Sequence, residues 1–131
     1  MALIKGIHHM GVKSGSVEEY EKTVAFYRDI LGMEPVRSWG AGSDAGMMLR
    51  CGSGMFEICA SGKTSGETGA LNHIALAVDD VEACVAAVSA AGYPITLGPV
   101  DVTIQAETAY PVQVAFCIGP VGEEIEFFKE Y

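Results

Sequence analysis

Apolar and polar positions alternate with a period of two at the start of the chain, so Ile4–Ser14 predicts a first strand. Ile7, His9, Gly11 and Lys13 share one face of it; His8, Met10 and Val12 share the other. The period then changes. Val17, Tyr20, Val24, Tyr27 and Leu31 recur at helical spacing, behind a Ser16 N-cap with Glu18 and Glu19 in the first turn. Gly32 is placed to end that helix. Glu34–Trp39 predicts a strand, Gly40–Gly46 a turn region, and Met47–Cys51 with Met55–Ala60 a hairpin around Gly52-Ser53-Gly54.

The same order of elements returns in the second half. Ala70–Val78 predicts a strand, and Asp79 or Asp80 can cap a helix whose buried stripe is Val81, Cys84, Val85 and Val88, closed by Gly92. Tyr93–Leu97, Val112–Ile118 and Glu123–Lys129 predict the remaining strands. Gly98–Pro111 is mixed in character and is expected to be a long loop over one end of the sheet. Each half therefore reads β-α-β-β-β, an α+β pattern. The expected organisation is one domain over residues 1–131, with module one at 1–62, a Ser, Gly and Thr-rich linker at 61–69, and module two at 70–131.

The repeat carries chemistry as well as structure. In each half a histidine lies near the start of the first strand, His9 and His73, and a glutamate lies in the last, Glu57 and Glu126. His9 shares its face with Gly11, and His73 shares its face with Ala75 and Ala77, so small residues clear space beside both rings. Glu57 stands between Phe56 and Ile58, and Glu126 between Ile125 and Phe127. If the bulky neighbours face the helix, both carboxylates face the same way as the histidines. A carboxylate beside a cavity is costly unless it is paired or coordinated, and a divalent cation would satisfy both. His9, Glu57, His73 and Glu126 are thus the candidate metal ligands. His8 is the ambiguous neighbour, expected to face the helix or a hydrogen-bond partner. Lys13 is the candidate substrate-binding cation on the His9 face, and Trp39, Met47, Cys59 and Tyr110 are candidates for lining the cavity.

Two imidazoles and two carboxylates form a mixed nitrogen and oxygen set suited to Ni²⁺, Co²⁺, Mn²⁺ or Zn²⁺, whereas a structural zinc site more often uses cysteine. A net charge of −9 argues against nucleic acid as a partner. Cys51, Cys59, Cys84 and Cys117 form no C-x-x-C pair and fit reduced thiols better than a disulfide framework. With no secretory signal pattern and no apolar run of membrane-spanning length, the expected compartment is the cytoplasm and no membrane partner is expected. Charged residues make up only 19% of the chain, which suggests some apolar surface covered by a partner.

The runs His9-Met10-Gly11-Val12, Phe26-Tyr27-Arg28-Asp29-Ile30-Leu31-Gly32, Phe56-Glu57-Ile58, His73-Ile74-Ala75-Leu76-Ala77-Val78 and Gly122-Glu123-Glu124-Ile125-Glu126 resemble the vicinal oxygen chelate superfamily, which includes glyoxalase I, bleomycin resistance proteins and extradiol dioxygenases. The resemblance covers nearly the whole chain. It implies paired βαβββ modules forming a U-shaped mixed sheet around a metal, with His9, Glu57, His73 and Glu126 at the positions of the two-His, two-Glu site, and a homodimer. A full quartet points to the glyoxalase I-like branch: a lyase or isomerase that stabilises an enediolate on a small α-oxo substrate, with Glu126 and Glu57 as the candidate bases. Lys13 stands where that branch usually has an arginine, and Gly119-Pro120-Val121-Gly122 replaces its usual turn before the last strand. The alternatives are a methylmalonyl-CoA epimerase-like isomerase, or a resistance protein that binds a drug or other small molecule without turnover.

Overall fold

In the computed structural model the described residues are 7–62, 71–104 and 108–131. The chain divides into two compact units, Met1–Ser65 and Gly66–Tyr131. The first contains β1 (His9–Lys13), α1 (Val17–Ala25), β2 (Pro35–Trp39), β3 (Gly46–Cys51) and β4 (Gly54–Cys59). The second contains β5 (Ile74–Ala77), α2 (Val81–Ala90), β6 (Ile95–Ile104), β7 (Tyr110–Ile118) and β8 (Glu124–Glu130). Each unit is βαβββ, and the fold class is α+β. Of the linker expected over 61–69, residues 63–69 lie outside the described residues, as do residues 4–6 of the expected first strand.

The two sheets share one strand order, β1-β4-β3-β2 and β5-β8-β7-β6. In each, the first strand runs parallel to the last, and the other neighbours are antiparallel. A parallel pair needs a long crossover, and α1 or α2 lies within that connection. One face of each sheet packs on its helix. Phe56 and Ile58 from β4 and Leu49 from β3 are buried with Tyr27, whose ring stands 4.2 Å from that of Phe56. Ile125 and Phe127 from β8, and Ala115 and Cys117 from β7, are buried in the second unit, as are Val81 and Val88 of α2. Burying a side chain such as Phe56 or Ile125 is worth about 1.5–3 kcal/mol.

Both helices start as their sequences predict. Ser16 Oγ accepts from Glu19 N–H at 3.1 Å, while the Glu19 carboxylate accepts from Gly15 N–H at 2.7 Å. Asp80, rather than Asp79, caps α2 by accepting from Ala83 N–H at 2.9 Å. Beyond Ala25 the first helix widens into a π-helical turn, Phe26–Ile30, closed by Leu31 N–H donating to Phe26 C=O at 3.0 Å. The wider turn rotates the buried face. Thr23, Val24, Phe26 and Tyr27 are buried, whereas Val17 is exposed and Leu31 only half-buried, so the regular stripe from Val17 to Leu31 does not hold throughout.

The long loop expected over Gly98–Pro111 is corrected as far as Ile104 by β6, which pairs with β7 from Ile95↔Cys117 to Ile104↔Tyr110, while residues 105–107 of it lie outside the described residues. Gly98 and Pro99 mark an irregularity inside a strand instead of its end. The register shifts between Leu97 and Val100, and Gly98 takes φ +77 beneath the Val114 carbonyl. Beyond it Val100, Val102 and Ile104 keep strand alternation.

Candidate functional site

Strand register brings the predicted residues together within each unit. Gly11 lies opposite Glu57 across the parallel β1–β4 pair, and Glu57 lies opposite Met48 on β3. Since Phe56 and Ile58 are buried on the α1 side, Glu57 lies on the opposite face, where it meets His9: Nε2 stands 3.9 Å from Glu57 Oε2. A Cβ on Gly11 would sit 3.5 Å from Glu57 Oε1, an ordinary van der Waals contact, so the carboxylate lies directly beside Gly11. In the second unit Ala75 lies opposite Glu126, and Glu126 opposite Phe116. His73 Nε2 stands 3.4 Å from Glu126 Oε2. Each unit thus carries one His–Glu pair, His9 with Glu57 in the first and His73 with Glu126 in the second. Among the described residues, no three His, Cys, Asp or Glu side chains form a ready-made metal cluster.

The donor chemistry fits a divalent metal. Two donors about 2.1 Å from one ion stand about 3.0 Å apart at a right angle and about 3.4 Å at the tetrahedral angle. His73 and Glu126 meet that separation as they stand, and His9 and Glu57 need to close by a few tenths of an ångström. The second ring nitrogen is held in both units. His73 Nδ1 lies 2.8 Å from Asn72 Oδ1, so it donates there and leaves Nε2 as the acceptor facing Glu126. His9 Nδ1 lies 2.9 Å from His8 Nδ1; with His9 donating, its Nε2 is likewise free. Holding the far nitrogen fixes ring orientation and tautomer, the usual support for a ligating histidine. His8 thus has the partner role expected of it. Asn72 was not singled out by sequence, although a polar side chain directly before each histidine is the signal that could have found it.

The two carboxylates differ in environment. Glu126 is buried, at 8% exposure, and burial pushes its carboxyl above the ordinary value; His73 partly offsets this and Glu124 adds to it. Glu57 is more open, and the Cys59 thiol approaches its Oε1 at 3.6 Å. Burial, followed by Glu57, pushes the Cys59 thiol up, and Lys13 works against that. Lys13 lies opposite Cys59 on the same sheet face, its side chain running over Gly62. Trp39, Cys59 and Tyr110 also lie on the faces that carry the glutamates, where Tyr110 donates to the Glu130 carboxylate. Met47 does not: it pairs with Ile58 on the α1 side.

The sequence model of the Glyoxalase/Bleomycin resistance protein/Dioxygenase superfamily matches residues 6–127. No curated protein matches the chain. Among solved structures, SMU.1112c is 26% identical with a TM-score of 0.68, over 95% of this chain and 98% of that one. TnmS3, an antibiotic binding protein from Streptomyces sp. CB03234, is 18% identical with a TM-score of 0.71, over the full length of both chains. A glyoxalase/bleomycin resistance protein/dioxygenase from Alicyclobacillus acidocaldarius is 14% identical with a TM-score of 0.67, over 97% of this chain and 92% of that one.

Proposed function

The chain belongs to the Glyoxalase/Bleomycin resistance protein/Dioxygenase superfamily, and from that premise we propose a metal-dependent lyase or isomerase of the glyoxalase I type, acting on a small α-oxo substrate. The observation that carries this reading is the twofold pair: in each unit a histidine Nε2 faces a glutamate oxygen while the preceding residue holds its Nδ1. His9, Glu57, His73 and Glu126 would hold one Ni²⁺, Zn²⁺, Co²⁺ or Mn²⁺ ion, with residues 1–131 working as a single domain. Such an ion supplies Lewis-acid stabilisation of an enediolate, worth several kcal/mol.

The protein's own groups move the proton. Glu126 is the stronger candidate for the base, because burial raises its proton affinity. A positioned base of this kind contributes about 10² to 10⁴ in rate. Glu57, more open to water, suits the role of anchoring ligand. Lys13, on the His9 face, would meet an anionic group of the substrate. No helix among the described residues is long and apolar enough to cross a membrane, and all four cysteines are free, in keeping with action in the cytoplasm. A homodimer is part of the same reading, supported by the 19% charged fraction and by Leu97, Val100, Val102 and Ile104 exposed along β6. Sedimentation giving only monomer at micromolar concentration would count against it.

The test is metal content of the purified protein, followed by turnover of methylglyoxal hemithioacetal. One metal per site and turnover that depends on it are expected; no stoichiometric uptake overturns the reading. A second reading is binding without turnover. TnmS3, which shares the fold, is an antibiotic binding protein, and Phe116 and Leu97 form an apolar row beside Glu126. Tight small-molecule binding by metal-free protein, with no turnover after metal loading, would favour it.

A further inference from the structure

We propose that the face of the first unit opposite α1 is a binding site for an amphiphilic oxyanion, with Arg37 and Arg50 as its anion-holding residues and Met48 and Met55 as its apolar floor. Three cross-strand rows define that face. His9, Met55 and Arg50 form one; Gly11, Glu57, Met48 and Arg37 form the next; Lys13, Cys59, Gly46 and Trp39 form the third. Strands stand about 4.8 Å apart, so each arginine begins about 10 Å from the His9–Glu57 pair, with one methionine between. The Trp39 indole closes the third row by lying over Gly46.

Charge is sorted in this unit. The four strands carry three cations, Lys13, Arg37 and Arg50, and a single carboxylate, Glu57, within a chain of net charge −9. All three cations are exposed and share the Glu57 face. Among the other described cations, Lys22 pairs with Glu18 at 3.2 Å and Arg28 with Asp29 at 2.7 Å, while Lys129 lies over the Tyr131 ring. Among the described residues no carboxylate lies within 4.0 Å of the charged nitrogens of Lys13, Arg37 or Arg50. Arginines in an acidic chain that face a His–Glu pair, with no acidic partner among the described residues, are placed to receive an oxyanion, which the guanidinium fork grips in a bidentate fashion. Met48 and Met55 suit an apolar segment of variable shape. The ligand class is thus a small molecule with a carboxylate or phosphate at one end, an apolar middle, and its reacting group over His9 and Glu57.

This deepens the proposed function and rests on the His9–Glu57 pair being part of the reaction site. Its test needs neither metal nor turnover. Trp39 is the only tryptophan and lies on the face itself, so its emission reports binding. The full chain is titrated with 4-phenylbutyrate, with phenyl phosphate, and with neutral 4-phenylbutyramide. At least one anion is expected to bind about tenfold more tightly than the amide, as a charge-assisted contact requires, and to weaken in high salt. The tighter of the two anions identifies the group the site prefers. The double variant Arg37→Gln/Arg50→Gln should lose that preference while keeping amide binding, which also shows that it is folded; Lys22→Gln should change nothing. Equal binding of amide and anions, or unchanged anion affinity in the double variant, overturns the proposal. Loss of metal binding in Glu57→Gln bears on the catalytic reading separately and leaves this outcome untouched.

Discussion

Gly46→Ala sets two opposing effects against each other at a single methyl group. Gly46 lies in β3 opposite Trp39 and is buried beneath its indole. A Cβ there would fall closer than 3.0 Å to the indole Cε2, Cζ2 and Nε1, a separation that real Cβ atoms essentially never show. The φ of Gly46 is not positive, so alanine meets no backbone strain, and removing glycine from a strand should stabilise by about 0.4–1 kcal/mol through the unfolded chain. Against this, forcing a methyl into occupied space costs about 1–3 kcal/mol. Relief is available in only one direction. Trp39 is on β2, at the edge of its sheet, and 39% exposed, so the ring can swing toward solvent while the β3 backbone stays paired. The overlap should therefore win by a small margin, leaving the variant about 0.5–2 kcal/mol less stable. Because Trp39 is the sole tryptophan, its movement is read directly: the native emission maximum should shift to the red. Urea unfolding followed in parallel by far-ultraviolet circular dichroism and by Trp39 emission measures both quantities. An unshifted emission maximum together with equal or raised stability would show that the indole does not lie over Gly46.

Glu126→Gln should keep the fold and part of the metal but lose about 10² to 10⁴ in kcat, while Glu57→Gln should weaken metal binding more than it lowers turnover at saturating metal; metal titrations alongside steady-state kinetics separate the two, and an active Glu126→Gln beside an inactive Glu57→Gln reverses the roles. Phe56→Ala removes a ring that is 1% exposed and stacked near Tyr27, so urea unfolding should give a loss of about 3–5 kcal/mol, and a loss below 1 kcal/mol would contradict its place in the core. Asp80→Ala deletes the N-cap of α2 and should cost about 1 kcal/mol by the same measurement. Cys117 is fully buried and its thiol is pushed up to about 11, so at pH 8 only about one in a thousand is ionised and a thiol reagent should reach it last, at the rate of unfolding. Labelling of Cys117 as fast as Cys51 in the native protein would refute its burial.

The His–Glu pairs were legible in the sequence because strand alternation is a local signal: Phe56 and Ile58 around Glu57, and Ile125 and Phe127 around Glu126, declare the helix face and thereby the other one. Cap residues are local as well, and Ser16 and Asp80 act as their types suggest. Three features were not legible in this way. Gly98-Pro99 imitates the end of a strand, so the continuation of β6 through Ile104 was hidden. The π-helical turn at Phe26–Ile30 breaks the helical period that a stripe from Val17 to Leu31 assumes. Cross-strand register depends on residues far apart in the chain, so the placement of Met48 and Arg37 beside Glu57, and of Phe116 beside Glu126, emerges only when the strands pair.

Those cross-strand rows divide labour between strands. Both histidines stand at or just before the outer strands β1 and β5, and both glutamates lie on their parallel partners β4 and β8. What lies beside each glutamate belongs to other strands: Met48 and Arg37 on β3 and β2, Phe116 and Leu97 on β7 and β6. Substitutions at the glutamate-face positions of that hairpin half, such as Arg37, Met48, Leu97 and Phe116, can alter which molecule is admitted without displacing a His–Glu pair or replacing the helix-side core residues Leu49, Ala115 and Cys117. A scaffold so divided can change its ligand by drift in one half of a sheet, and two copies of it can diverge independently. Laboratory evolution toward new ligands would therefore do best with diversity confined to the glutamate-face positions of β2, β3, β6 and β7, holding their helix-side residues and β1, β4, β5 and β8 constant.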